Sequence, residues 1–238
     1  MKYILTLLTT ALFSSAFSQF YVAARSGLNV REYGDPTARV LATIPYGTAV
    51  TDMSDDYYGS YTSEGIHGSW RKITYNGQTG YVFTGFLLPY PAPTESTLDD
   101  YISRIVRIKA GPLEYSPDPT QDMVNSHTHT IYTDGVYKHE YIGYEYHSTT
   151  IGIPNISMEQ AFILCRLLPD FRKFIGEKDA YPLRPVNTEE KIIRHVKTGY
   201  DTYEYLESIR IEIFPNAMEF LEIRSGEGRV EIITGSGV

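Results

Sequence analysis

The sequence predicts a two-domain fold: an all-β barrel in the N-terminal third, then an α+β domain built from an antiparallel sheet and a packed helix. Three observations carry this expectation. Short strand-like runs separated by turn residues fill positions 20–88. A stretch with three alternating prolines, Pro89-Tyr90-Pro91-Ala92-Pro93-Thr94-Glu95-Ser96, interrupts them and favours an extended connection. From residue 97 to 238, strands, a helix and further strands succeed one another, the order of an α+β domain with its helix on one face of the sheet. A chain of 238 residues can bury two such cores.

Residues 1–18 form the first element. Lys2 supplies a basic start, Tyr3 to Phe13 an apolar run, and Ala16-Phe17-Ser18 a small-residue end, which together make a cleavable export signal. The apolar run is too short to span a bilayer, which needs about 20 residues of helix. Cleavage before Gln19 and a secreted or periplasmic location are expected, with no membrane insertion afterwards. Cys165 is the single cysteine, so neither an intramolecular disulfide nor a thiolate zinc cluster can form. The net charge of −8, with no Lys/Arg block, argues against nucleic acid as a partner. The 21 tyrosines, against one tryptophan and ten phenylalanines, suit half-exposed strands and binding surfaces.

Residues 19–88 read as a small barrel or sandwich, by short strands at regular spacing. Its strands are Phe20-Tyr21-Val22, Leu28 to Arg31, Val40 to Ile44, Thr48 to Thr51, Trp70 to Ile73 and Thr79 to Phe83. Gly34-Asp35-Pro36, Pro45-Tyr46-Gly47 and Asn76-Gly77 supply the turns. Asn76-Gly77 predicts a two-residue hairpin, because both residues tolerate positive φ.

The ordered set Leu28-Asn29-Val30-Arg31, Gly47 to Val50, Trp70 to Ile73, Asn76-Gly77 and Gly80-Tyr81-Val82 resembles the bacterial SH3 domains. The resemblance implies an SH3-like barrel over about residues 20–88, and a role in binding cell-wall peptides or assisting a neighbouring domain. Two departures stand out. The loop after Arg31 reads Glu-Tyr-Gly-Asp-Pro, and residues 54–69 form an enlarged segment rich in tyrosine and acid. That segment reads either as a ligand-facing loop or as a solvated hairpin extension. Tyr33, Tyr58, Trp70 and Tyr81 are the aromatics expected to line a ligand groove, although Trp70 and Tyr81 serve equally as core residues.

In residues 97–238, Thr97 followed by Asp99 and Asp100 marks a helix start, with Leu98, Tyr101, Ile102 and Ile105 on one face. Asp134-Gly135 predicts a two-residue hairpin that pairs Thr133 with Val136 and Ile131 with Lys138. Ser157 and Gln160 have capping-box spacing before a wide apolar surface, Phe162 to Leu168, that Pro169 ends. Leu206 to Phe214, Met218 to Ile223 and Arg229 to Ile233 read as consecutive antiparallel strands.

In the expected register His127, His129 and Glu140 share a strand face, whereas His139 and His147 point away. That partial metal-ligand set, with Lys138 beside it, is weaker than a plain polar stripe. Cys165 lies in an apolar helix pattern that favours an inert thiol. The acidic pairs Asp99-Asp100 and Glu189-Glu190 read as helix-start charges. No catalytic, metal-ligating or cofactor-binding residue is assigned. The expectation is a non-enzymatic secreted envelope binding protein whose barrel recognises a cell-wall peptide or an envelope protein. The alternatives are a cell-wall-directed hydrolase, possibly metal-dependent, targeted by the barrel, and an inhibitor or immunity protein.

Overall fold

A computed structural model describes residues 19–51, 53–115, 126–200, 203–214 and 218–237. The expected export signal, residues 1–18, lies outside them. The protein is mostly β, with antiparallel sheets and few helices. Among the described residues no helix is long and apolar enough to cross a membrane.

Eight strands come first: β1 (Phe20–Val22), β2 (Leu28–Arg31), β3 (Val40–Ile44), β4 (Ala49–Val50), β5 (Met53–Ser63), β6 (Ile66–Tyr75), β7 (Gln78–Phe83) and β8 (Leu87–Leu88). They form a three-stranded sheet, β4-β1-β8, and a five-stranded sheet, β3-β2-β7-β6-β5. Alternation along each strand sends Leu28, Val30, Ile73 and Val82 inward against Val22, Ile44, Val50 and Leu87. Asn76 and Gly77 take φ of 49° and 76°, and Tyr75 pairs with Gln78 as the turn chemistry predicts.

The enlarged segment is a hairpin extension whose tip, with Glu64 still half exposed, is docked on the C-terminal half. β5 and β6 turn at Glu64-Gly65, with φ of 52° and 74° and Ser63 paired to Ile66. Tyr181 N–H donates to Glu64 O at 2.8 Å, and Arg166 Nη1 donates to Glu64 Oε2 at 2.7 Å. Ile66, fully buried, enters the apolar interior of the C-terminal half.

That half contains α1 (Leu98–Ile105), β9 (Ile108–Tyr115), β10 (Ser126–Tyr132), β11 (Tyr137–Ile142), β12 (Tyr146–Pro154), α2 (Met158–Leu167), β13 (Val186–Asn187), β14 (Lys191–Tyr200), β15 (Tyr203–Ile213), β16 (Met218–Gly226) and β17 (Arg229–Gly237). The strands make one nine-stranded antiparallel sheet, β13-β14-β15-β16-β17-β12-β11-β10-β9. Two meanders are thus joined where β12 pairs with β17, and α2 lies in the connection between them. Ser157 Oγ accepts from Gln160 N–H, and the Gln160 side chain reaches back to Ser157 N–H. The helix that follows is almost entirely buried, and its Phe162, Ile163 and Leu167 share one apolar cluster with Ile209, Leu221, Ile223 and Ile232 of the sheet.

Two expectations are corrected. The loop at Asp134-Gly135 has three residues, Thr133 to Gly135, so Ile131 pairs with Tyr137 and Thr130 with Lys138. Tyr132 N–H donates to Val136 O, which places both of these buried side chains on the helix-covered face. Their joint burial outweighs the two-residue turn, and the one-residue slip exchanges the faces of every neighbour on the hairpin. Glu189-Glu190 precedes a strand, β14, rather than opening a helix.

The proline-rich segment 89–96 is strapped down. Tyr46 Oη donates to Pro93 O at 2.6 Å, Tyr90 Oη to Pro154 O at 3.1 Å, and Arg104 Nη2 to Ala92 O at 3.1 Å. Ala23, Ile66 and Leu88 of the barrel belong to the same apolar cluster as the helices, so the interior runs continuously beneath the strap. Glu95 anchors it. Partial burial alone would push its carboxyl up, but hydrogen bonds from Arg104 and Thr94 outweigh this and hold the pKa at about 2.

Two outcomes follow from this architecture. Gly65→Ala should lower stability by more than about 1 kcal/mol in denaturant titration, because its φ is positive and a Cβ would lie 2.3 Å from Tyr181 O. The stability that ionised Glu95 contributes is fully present above its ordinary pKa of 4.5 and declines as pH falls from there toward 2. Glu95→Gln should therefore flatten the pH dependence of the thermal midpoint across that window.

Candidate functional site

A cleft of about 550 Å³ opens where the barrel meets α2, a volume that suits a small molecule or short peptide. Its floor is aromatic. Trp70 and Phe83 face each other across the β6–β7 pair with ring centroids 5.8 Å apart. Tyr61 of β5 lies 5.9 Å from Trp70 and 5.5 Å from Phe83, and Phe86 extends the cluster 5.5 Å beyond Phe83. The β1–β2 connection, residues 23–27, forms one wall. Arg166 and Leu167 of α2 with Glu177 and Lys178 form the other.

The wall is tied to the barrel by charge-assisted contacts. Arg25 Nη2 donates to Leu167 O at 2.6 Å, and the Arg25 guanidinium lies 5.8 Å over the Tyr46 ring. Arg166 bonds both Glu64 and the Asp179 carbonyl. A guanidinium has five donors, so Arg25 and Arg166 keep capacity for a ligand carboxylate. Glu64 and Glu177 offer acceptors for an ammonium on the same rim.

Of the four aromatics expected in a groove, Trp70 lies in the cleft. It is 5% exposed and sits outside the barrel core, under the loop that carries Tyr33. A Cβ on Gly34 would stand 2.8 Å from Trp70 Cβ and 3.3 Å from Tyr58 Cβ, so this loop lies flat on both side chains. Tyr58 and Tyr81 pack edge to face at 4.7 Å beside it, and Tyr33 is exposed. Tyr33, Tyr58 and Tyr81 are thus outside the cleft lining. Tyr61, Phe83, Phe86, Arg25 and Arg166 were not legible as site residues. Recognising Glu64-Gly65 as a turn would have placed Tyr61 opposite Gly68 and beside Trp70.

The expected grouping of His127 and His129 with Glu140 is not found. Glu140 lies on the helix-covered face, where Lys138 bonds both it and Asp99 at 2.9 Å. Cys165 is fully buried, and burial pushes its thiol far above the ordinary range, so it is an inert core residue.

Residues 26–87 match the family model of the bacterial SH3 domain, from just before β2 to the first residue of β8. The barrel is a bacterial SH3 domain, a module that commonly binds the cell wall or peptidoglycan, and the C-terminal half matches no family. No curated protein and no solved structure matches the chain.

The loop over Trp70 can be tested directly, because Trp70 is the chain's one tryptophan. Gly34→Val should lift the loop and shift the fluorescence maximum to longer wavelength, with far-UV circular dichroism unchanged. An unshifted emission would mean that the loop does not cover the indole.

Proposed function

We propose that the chain is an exported, non-enzymatic envelope protein that binds a cell-wall peptide in the cleft between its SH3 barrel and α2. The bacterial SH3 match is the observation that carries this reading. The pattern of residues 1–18 supports export to the periplasm or beyond. Tyr61, packed on the largely buried Trp70, supplies an apolar floor, and the mixed rim of Arg25, Arg166, Glu64, Glu177 and Lys178 suits a short peptide that bears both amine and carboxylate groups. Tyr33, Tyr58 and Tyr81 extend the binding surface over the barrel. Residues 19–88 and 97–238 act as two domains that build one site, with 89–96 holding them in register.

Co-sedimentation of the full chain with purified peptidoglycan tests this reading. The wild-type protein should pellet, and Tyr61→Ala should weaken binding about tenfold, the scale of one lost aromatic contact. A wild-type protein that stays in the supernatant would overturn the wall-binding reading in favour of a protein partner.

A further inference from the structure

The sheet face opposite α2 gathers three of the chain's six histidines. His127 and His129 alternate along β10 and so point the same way. The β10–β11 register sets His139 directly across from His129 and Tyr141 across from His127. The His127 and His139 rings stack at 5.6 Å, and the His129 and His139 centroids are 6.0 Å apart. Tyr137 and Tyr141 bracket the group, stacking on His129 at 5.8 Å and packing on His127 at 4.8 Å.

We propose that His127, His129 and His139 form a binding site for one divalent transition-metal ion of the zinc class. His127 Nδ1 and His139 Nε2 are 3.4 Å apart. Two imidazole nitrogens on a tetrahedral ion with bonds of about 2.0–2.1 Å stand about 3.4 Å from each other, so this pair already has the spacing of two ligands. Among the described residues no three such side chains converge on one point as they stand. The adjustment required is a turn of the His129 ring, which is exposed and can change rotamer at small cost.

Two further features fit the assignment. Lys138, whose charge would repel a cation, points to the other face and is held there by Asp99 and Glu140. A β-bulge interrupts the β9–β10 register between His129 and Ile131. Gly111 of the bulge has φ of 102°, and a Cβ there would lie 2.5 Å from His129 O. Bulges of this kind re-aim side chains beside functional sites. A set of imidazoles without carboxylates favours Zn²⁺, Cu²⁺ or Ni²⁺ over Mg²⁺ or Ca²⁺. Three protein ligands leave one coordination position open to water or an anion.

Calorimetric titration of the untagged, chelator-stripped full chain with Zn²⁺ tests the proposal without recourse to peptidoglycan. One equivalent should bind, and His127→Gln, His129→Gln and His139→Gln should each weaken binding at least about tenfold. His147→Gln, a control on the opposite face, should leave the affinity unchanged. Co²⁺ should give the intense visible absorption of tetrahedral coordination in the wild type and lose it in His139→Gln. Exposed His129 provides a variant that keeps the fold, as circular dichroism can verify. Absence of saturable Zn²⁺ binding, or equal affinity in the wild type and the His129→Gln variant, would overturn the three-histidine site.

Discussion

The docking of the Glu64-Gly65 turn against α2 and Tyr181 is the constraint on which the rest of the molecule depends. Without it the β5–β6 hairpin would be a long arm in water, and Ile66 would have no interior to enter. The Arg166 side chain is about one-tenth exposed, so its charge is compensated by Glu64 and the Asp179 carbonyl. Removing Glu64, itself half exposed, would leave that guanidinium with the Asp179 carbonyl alone in a poorly solvated place. Because the turn is anchored, Tyr61 is held over Trp70, and the barrel wall and the helix wall stand a fixed distance apart.

The cleft therefore belongs to neither part alone. The barrel contributes the aromatic floor and Arg25, while α2 and the segment after it contribute Arg166, Glu177 and Lys178. Gln160 Nε2, which donates to Leu87 O at 2.9 Å, ties the start of the same helix to the end of the barrel. One helix thus covers the sheet, locks the barrel and lines the site. The strap at 89–96 limits rotation about the junction, as expected of a proline-rich connection whose ends are hydrogen-bonded.

Much of this was legible from local chemistry. Asn76-Gly77, the Ser157–Gln160 capping box, the Thr97 cap and the paired sequence motifs of the barrel each specify their own geometry, and each is found. The failures share a cause. Asp134-Gly135 marks a turn but not its length, and the simultaneous burial of Tyr132 and Val136 selects the register. Glu64 is not a turn former by composition, yet it adopts positive φ because the tip is held by residues some hundred positions away, Arg166 among them. Strand β9 hides behind Gly111-Pro112 and exposed Ile108 and Leu113, and β14 behind two acidic residues that resemble a helix start. The walls of the cleft come from distant segments, which periodicity cannot bring together.

The β12–β17 pairing carries a consequence for the order in which the chain acquires structure. Each wing of the large sheet is a run of neighbouring hairpins, cheap to close, whereas the seam between the wings joins strands far apart in sequence. Until the seam closes, both wings present a bare central edge rich in β-branched residues, Thr149, Thr150, Ile151 and Ile153 on one side and Ile232, Ile233 and Thr234 on the other. A protein arranged this way completes its largest sheet only when its two halves meet.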